Sequence, residues 1–209
     1  MAAVVIPGAS LLFGLWILFP EAIKGIDLKD VSLGSFGIFA LAAFCAGHII
    51  QAPANITVDW YWKRFGRPTE AMRHRGCGLA EAQVRRIPAQ VLALLAMDIP
   101  ADASDDQWRP VTAQMAIYVA NSGKAERLDK FNGNYGLFRG LSAALLVLLI
   151  LALWHLAWTF AALTLLAASA TMLRMKRFGN YYARELWLQF LSIDATSTIR
   201  AASGSVNHG

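Results

Sequence analysis

Between Gly140 and Leu173 the chain runs for 34 residues without an Asp, Glu, Lys or Arg. As one helix rising 1.5 Å per residue it would be about 50 Å long, whereas the hydrocarbon core of a bilayer is about 30 Å thick. The block is therefore expected to hold two crossings. Their turn would fall at WHLAW, residues 154–158, where Trp154, His155 and Trp158 provide interfacial side chains. No Gly or Pro supports a tight reversal there, so one long tilted helix is the alternative.

A second uncharged stretch begins at Val31, with the sequence VSLGSFGIFALAAFCAGHII, and passes into a polar, aromatic and basic exit, QAPANITVDWYWKRFG, ending at Gly66. It is long enough to cross. Pro53 is expected to kink or end it, because proline removes a helical donor and clashes with the preceding turn. The first apolar run, Val4 to Phe19, contains Pro7-Gly8 and is closed by Pro20. It predicts a thin or tilted first helix, with a re-entrant segment as the alternative. It lacks the positive region of a secretory signal and is read as a mature segment.

Residues 67 to 132 carry many charges. Val84, Ile87, Val91 and Leu94 or Leu95 recur at three-to-four spacing, which predicts an amphipathic helix interrupted by Pro88. Ser104 followed by two acids has an N-cap composition, and Trp108, Val111, Met115 and Tyr118 form one apolar face after it. No alternating strand pattern occurs here.

The fold class expected is all-α: a polytopic membrane protein of about four transmembrane helices, with a helical cytoplasmic insertion between the second and third. The divisions are an N-terminal transmembrane hairpin (1–66), the insertion (67–132), a C-terminal transmembrane hairpin (133–191) and a polar tail (192–209). Twelve Lys and Arg lie in residues 59–139, five from Arg174 onward, two after the first helix and none in WHLAW. The positive-inside rule then places the insertion and both termini in the cytoplasm, at the cytoplasmic (inner) membrane.

The net charge of +5 sits at the ends of apolar runs, so it is read as setting topology, and nucleic acid is not expected as a partner. Two cysteines, Cys45 and Cys77, are too few for a disulfide framework or a zinc cluster. No nucleophile elbow, phosphate-binding glycine loop, HExxH pattern or dinucleotide fingerprint is present, and no cofactor or metal is indicated.

Three patterns are candidates for function. Cys45, His48, Gln51, Asn55 and Asp59 fall within an arc of about 120 degrees on the second helix and form a polar stripe. Such groups serve an ion path, part of a metal site or lipid chemistry, or simply join helices by hydrogen bonds. Lys63-Arg64-Phe65-Gly66, expected to follow the second helix, is repeated as Lys176-Arg177-Phe178-Gly179, expected to follow the last, each with aromatics nearby. These four cations are read as contacts for anionic lipid head groups or another anionic ligand at one shared interface. Glu70, His74, Cys77 and Glu81 would share one helical face only if the helix ran unbroken past Gly76 and Gly78.

The function expected is that of an integral membrane component, self-associating or part of a larger complex. It would act as a small channel, membrane effector or accessory subunit whose cytoplasmic region senses or binds a partner. The alternatives are an intramembrane enzyme acting on a lipid or lipid-linked substrate, and an assembly factor.

Overall fold

A computed structural model of the chain describes residues 2–23, 33–75, 78–100 and 102–193. Among these residues there are helices and no strand. The α-helices are α1 (Ala2–Leu18), α2 (Leu33–Phe65), α3 (Pro68–Arg75), α4 (Glu81–Leu95), α5 (Asp105–Asn121), α6 (Glu126–Trp154) and α7 (Trp158–Leu191). A 3-10 turn, Pro20–Ile23, follows α1. Helices α2, α6 and α7 are long and apolar enough to cross a membrane, and fit a membrane-embedded protein. Helix α1 is apolar but has 17 residues, about 25 Å.

The chain divides into two compact units: residues within 1–65 and 132–178, and residues within 66–131 and 179–209. The first is a bundle of α1, α2 and the apolar lengths of α6 and α7. Helix directions follow from paired contacts. A Cβ added to Gly8 would meet Ala43, and one added to Gly47 would meet Val4, so α1 and α2 are antiparallel. Gln51 meets Arg139 and Trp62 meets Tyr135, which makes α2 and α6 antiparallel. The hydroxyls of Ser142 and Thr171 lie 3.1 Å apart, and the rings of Phe138 and Phe178 stack at 5.4 Å, so α6 and α7 form a hairpin.

The hairpin reverses at residues 155–157, inside WHLAW. Leu156 takes φ 55°, doing the work that a glycine commonly does at a helix end. The single long helix is thus replaced by two.

The bundle packs small residues inward. Gly8, Gly14, Ala43, Ala54, Ala143, Ala144, Ala152, Ala161 and Ala168 are buried, while Phe36, Ile38, Leu41, Ile49, Ile56, Leu163 and Leu166 are exposed. This distribution suits a lipid solvent, in which close backbone approach, rather than removal of apolar surface from water, joins helices.

In the second unit the order is reversed. Met72, Ile87, Val91, Val111, Met115, Leu186, Trp187 and Phe190 form its core. Large buried side chains are what burial from water rewards, at about 25 cal/mol per Å² of apolar surface. The apolar faces expected of α4 and α5 are both in that core or against it. Ser104 caps α5: its amide donates to the Gln107 side chain at 2.8 Å, and its hydroxyl accepts from the Gln107 amide.

Three local expectations are corrected. Helix α4 runs through Pro88 without interruption, since proline removes one hydrogen bond while Ile87 and Val91 remain buried on either side. Of the two outcomes expected at Pro53, a kink or an end, the end is overturned, because α2 runs through it to Phe65. The second KRFG phrase does not follow the last helix but lies within α7. Ala183, Leu186, Trp187 and Phe190 beyond it bury in the second unit's core and carry the helix on to Leu191.

Candidate functional site

The inward residues of α2 are Ala43, Gly47, Ile50, Ala54, Val58 and Trp62, spaced at fours and one three. At about 100 degrees per residue, the centre of the polar stripe lies roughly a quarter turn or more away from that face. Cys45, His48, Asn55 and Asp59 are accordingly exposed on the outside of the bundle. His48 rests edge-on against Phe44, with ring centroids 4.5 Å apart.

Only Gln51, at the margin of the inward face, is half-buried, and it reaches Arg139 of α6. The five residues therefore do not converge on one interior site. Among the described residues no three His, Cys, Asp or Glu side chains gather as a metal site.

Arg139 stands alone at the head of the uncharged run and belongs to none of the three sequence patterns. Its Nη2 donates to Gln51 Oε1 at 2.8 Å. Its Nε is buried with no acceptor. No carboxylate among the described residues pairs with it. Nearby, Trp62 donates to the Tyr135 hydroxyl at 3.1 Å, and Met175 packs with Val58 and Trp62.

At the same end of the bundle, Phe65 closes α2 between two cations. The Arg64 guanidinium carbon is 5.8 Å and Lys176 Nζ is 5.9 Å from its ring centre. The two KRF phrases thus do meet, through Arg64, Phe65 and Lys176, and Lys63 and Arg177 are exposed beside them in sequence. A ring face attracts cations, and two of them held there make a local positive patch.

The second unit contains a cleft of about 610 Å³ lined by Arg73, His74, Asp105, Trp108 and Trp187, among others. Arg73 pairs with Asp105, donates to the Ala103 carbonyl and lies over the Trp108 ring. His74 Nε2 is 3.2 Å from the same Asp105 oxygen.

The unbroken helix that would put Glu70, His74 and Glu81 on one face is not there: α3 is described as Pro68–Arg75, Gly78 takes φ 93°, and α4 starts afresh at Glu81. Glu70 turns to Arg109, His74 to Asp105 and Glu81 to Arg85; Cys77 lies outside the described residues. Comparison with protein-family models, curated proteins and solved structures yields no match, so the reading of function rests on these residues alone.

Proposed function

We propose that the protein is an integral membrane component that works as an assembly of copies, in which the outer face of α2 meets a second copy and lines a polar path. The observation that carries this is the outward placement of Cys45, His48 and Asn55 on a helix whose exposed residues in the same stretch include Phe36, Ile38, Phe39, Leu41, Phe44, Ile49 and Ile56. Polar side chains facing hydrocarbon are costly, and in membrane helices they turn toward a partner or water. A second copy supplies both, since two such faces pair their polar groups with each other.

In this reading α1, α2, α6 and α7 make four crossings of the cytoplasmic membrane. The charge distribution sets both termini and residues 67–132 on the cytoplasmic side. That region, with its water-type core, is the part that senses or binds a partner. Lys63, Arg64, Lys176 and Arg177 then lie at the cytoplasmic surface, where they hold anionic lipid head groups. The role is that of a small channel, membrane effector or accessory subunit.

The test is oxidative cross-linking through Cys45 in a Cys77→Ser variant reconstituted in liposomes, together with ion flux. Covalent dimers through Cys45, and flux that is lost in His48→Ala/Asp59→Ala, are expected. Monomers at all protein densities, with no Cys45 cross-link, would sink the proposal.

A further inference from the structure

Arg139 carries a charge that nothing described in the chain neutralises. Its three nitrogens have distinct surroundings. Nη2 is held by Gln51 Oε1, Nε is buried without an acceptor, and Nη1 is not buried and has no acceptor among the described residues. Gln51 is fixed by the same bond. A guanidinium only donates, so the amide must turn its oxygen to Arg139, and its nitrogen, also unburied, keeps two hydrogens with no acceptor among the described residues. The pair therefore presents donors from two helices, α2 and α6, and one net positive charge.

The depth of this pair is set by helix length. From Arg139 to Trp154 is fifteen residues of α6, about 22 Å, and from Trp158 to Arg174 is sixteen residues of α7, about 24 Å. Ser142 beside Thr171 and Phe138 beside Phe178 put Arg139 and Arg174 at the same end of the hairpin. Trp154 and Trp158, 83% and 66% exposed, mark the other end. The apolar height between arginines and tryptophans is thus shorter than a hydrocarbon core of about 30 Å. A bilayer meets such a mismatch by thinning, which lowers phosphate groups toward the shorter span. Arg139 stands about one turn, roughly 6 Å, inside Tyr135 and so lies where a lowered phosphate arrives.

We infer that Arg139 and Gln51 form a phosphate-binding cradle, which takes the phosphodiester of an anionic lipid drawn down beside α2 and α6. A planar guanidinium matches a phosphate's paired oxygens, and the Gln51 amide adds a donor from the neighbouring helix. A head group whose phosphate charge is not cancelled by its own ammonium is preferred, since Arg139 has no counter-charge of its own. The cradle is distinct from the patch of Lys63, Arg64, Lys176 and Arg177, and rests on the proposal above only in that the chain spans a bilayer.

The experiment uses the full chain in nanodiscs of mixed phosphatidylglycerol and phosphatidylcholine. Lipids retained on ejection are weighed by native mass spectrometry, and sites are mapped with a photoactivatable phosphatidylglycerol. Phosphatidylglycerol is expected to be retained about tenfold above its bulk share, the ratio of one charged hydrogen-bonded contact. Label is expected in residues 135–142 and around Gln51. Arg139→Gln removes the label at residues 135–142 and around Gln51 and lowers the enrichment to the share held by the interfacial cations, and Arg139→Lys keeps part of the difference, because the charge stays while the fork is lost.

Mapping on the unaltered chain decides the matter even if Arg139→Gln does not fold. Label confined to Lys63, Arg64 and Lys176 overturns the cradle and leaves the interfacial patch standing. Enrichment unchanged in a folded Arg139→Gln overturns it too. If inorganic phosphate, at matched ionic strength in neutral detergent, raises the melting temperature through Arg139 without lipid enrichment, the lipid source is wrong and a soluble phosphate is the ligand. A chain that washes out of membranes with alkaline carbonate defeats the membrane reading itself.

Discussion

Replacing Gly47 by Ala tests how tightly α1 and α2 are joined. A Cβ built at Gly47 would lie 2.0 Å from the Val4 carbonyl oxygen and 2.7 Å from its carbonyl carbon. Both are backbone atoms, so no rotamer change relieves the clash. To reach an ordinary contact of about 3.4 Å the helices must part locally by roughly 1.4 Å, and a gap of even 0.5–1 Å forfeits about a quarter to a half of each dispersion contact it opens. Overpacking costs about 1–3 kcal/mol in general, and a backbone-to-backbone clash belongs at the upper end.

A loss of about 3 kcal/mol corresponds to a fall in Tm of roughly 6–12 °C for a chain of this length. Gly8→Ala, whose Cβ would lie 1.8 Å from the Ala43 carbonyl oxygen, should do the same. The double variant should cost less than the sum, because one displacement of α1 relieves both clashes. Gly133→Ala is the control, as nothing lies within 4 Å of its added Cβ and the better helix former should gain about 0.5–1 kcal/mol. Thermal unfolding in detergent, followed by circular dichroism, measures all four. A Gly47→Ala protein that melts with the parent, or a Gly133→Ala protein that falls as far, would refute the close contact.

Tyr135→Phe removes the acceptor of the Trp62 indole N–H and should cost about 1–2 kcal/mol in the same melt, with Trp62 fluorescence shifting as its hydrogen bond is lost. Ser104→Ala breaks the reciprocal cap of α5 and should cost about 1 kcal/mol; hydrogen exchange should quicken in the first turn of α5 before it does elsewhere. Leu156→Gly should stabilise by about 1 kcal/mol, because Leu156 holds φ 55° at an exposed turn and glycine reaches that region without steric cost; an unchanged or lower Tm would count against the turn.

The helical class and the apolar lengths were readable because they depend on composition over long windows, where a single residue changes little. The reversal at 155–157 followed from length alone, with no turn residue to announce it. What could not be read was which face of α2 turns inward. Polar residues at 45, 48, 51, 55 and 59 make a stripe on any helical net, but burial was decided by Gly8 and Gly47, which let α1 sit against the Ala43 side of the helix.

Arg139 escaped notice for a related reason. Its significance depends on Gln51, 88 residues away, and no spacing rule links the two. The extent of α7 was hidden because Lys176-Arg177 looks like the end of a crossing. The 3.6-residue pattern of Ala183, Leu186, Trp187 and Phe190 beyond it was the available signal.

The contact of Gly8 with Ala43 and Gly47 also bears on the order in which the chain acquires its shape during synthesis. All of its atoms belong to the first 47 residues, so α1 and α2 can clasp while α6 is still unmade. Their joint surface then waits with Gly14 and Ile50 uncovered until Leu148 and Ala143 arrive some ninety residues later. Gln51 waits with them, its carbonyl unclaimed until Arg139 enters. A nascent chain halted before α6 should therefore carry a formed but half-covered pair of helices, the state in which a chaperone or insertase has the most to hold.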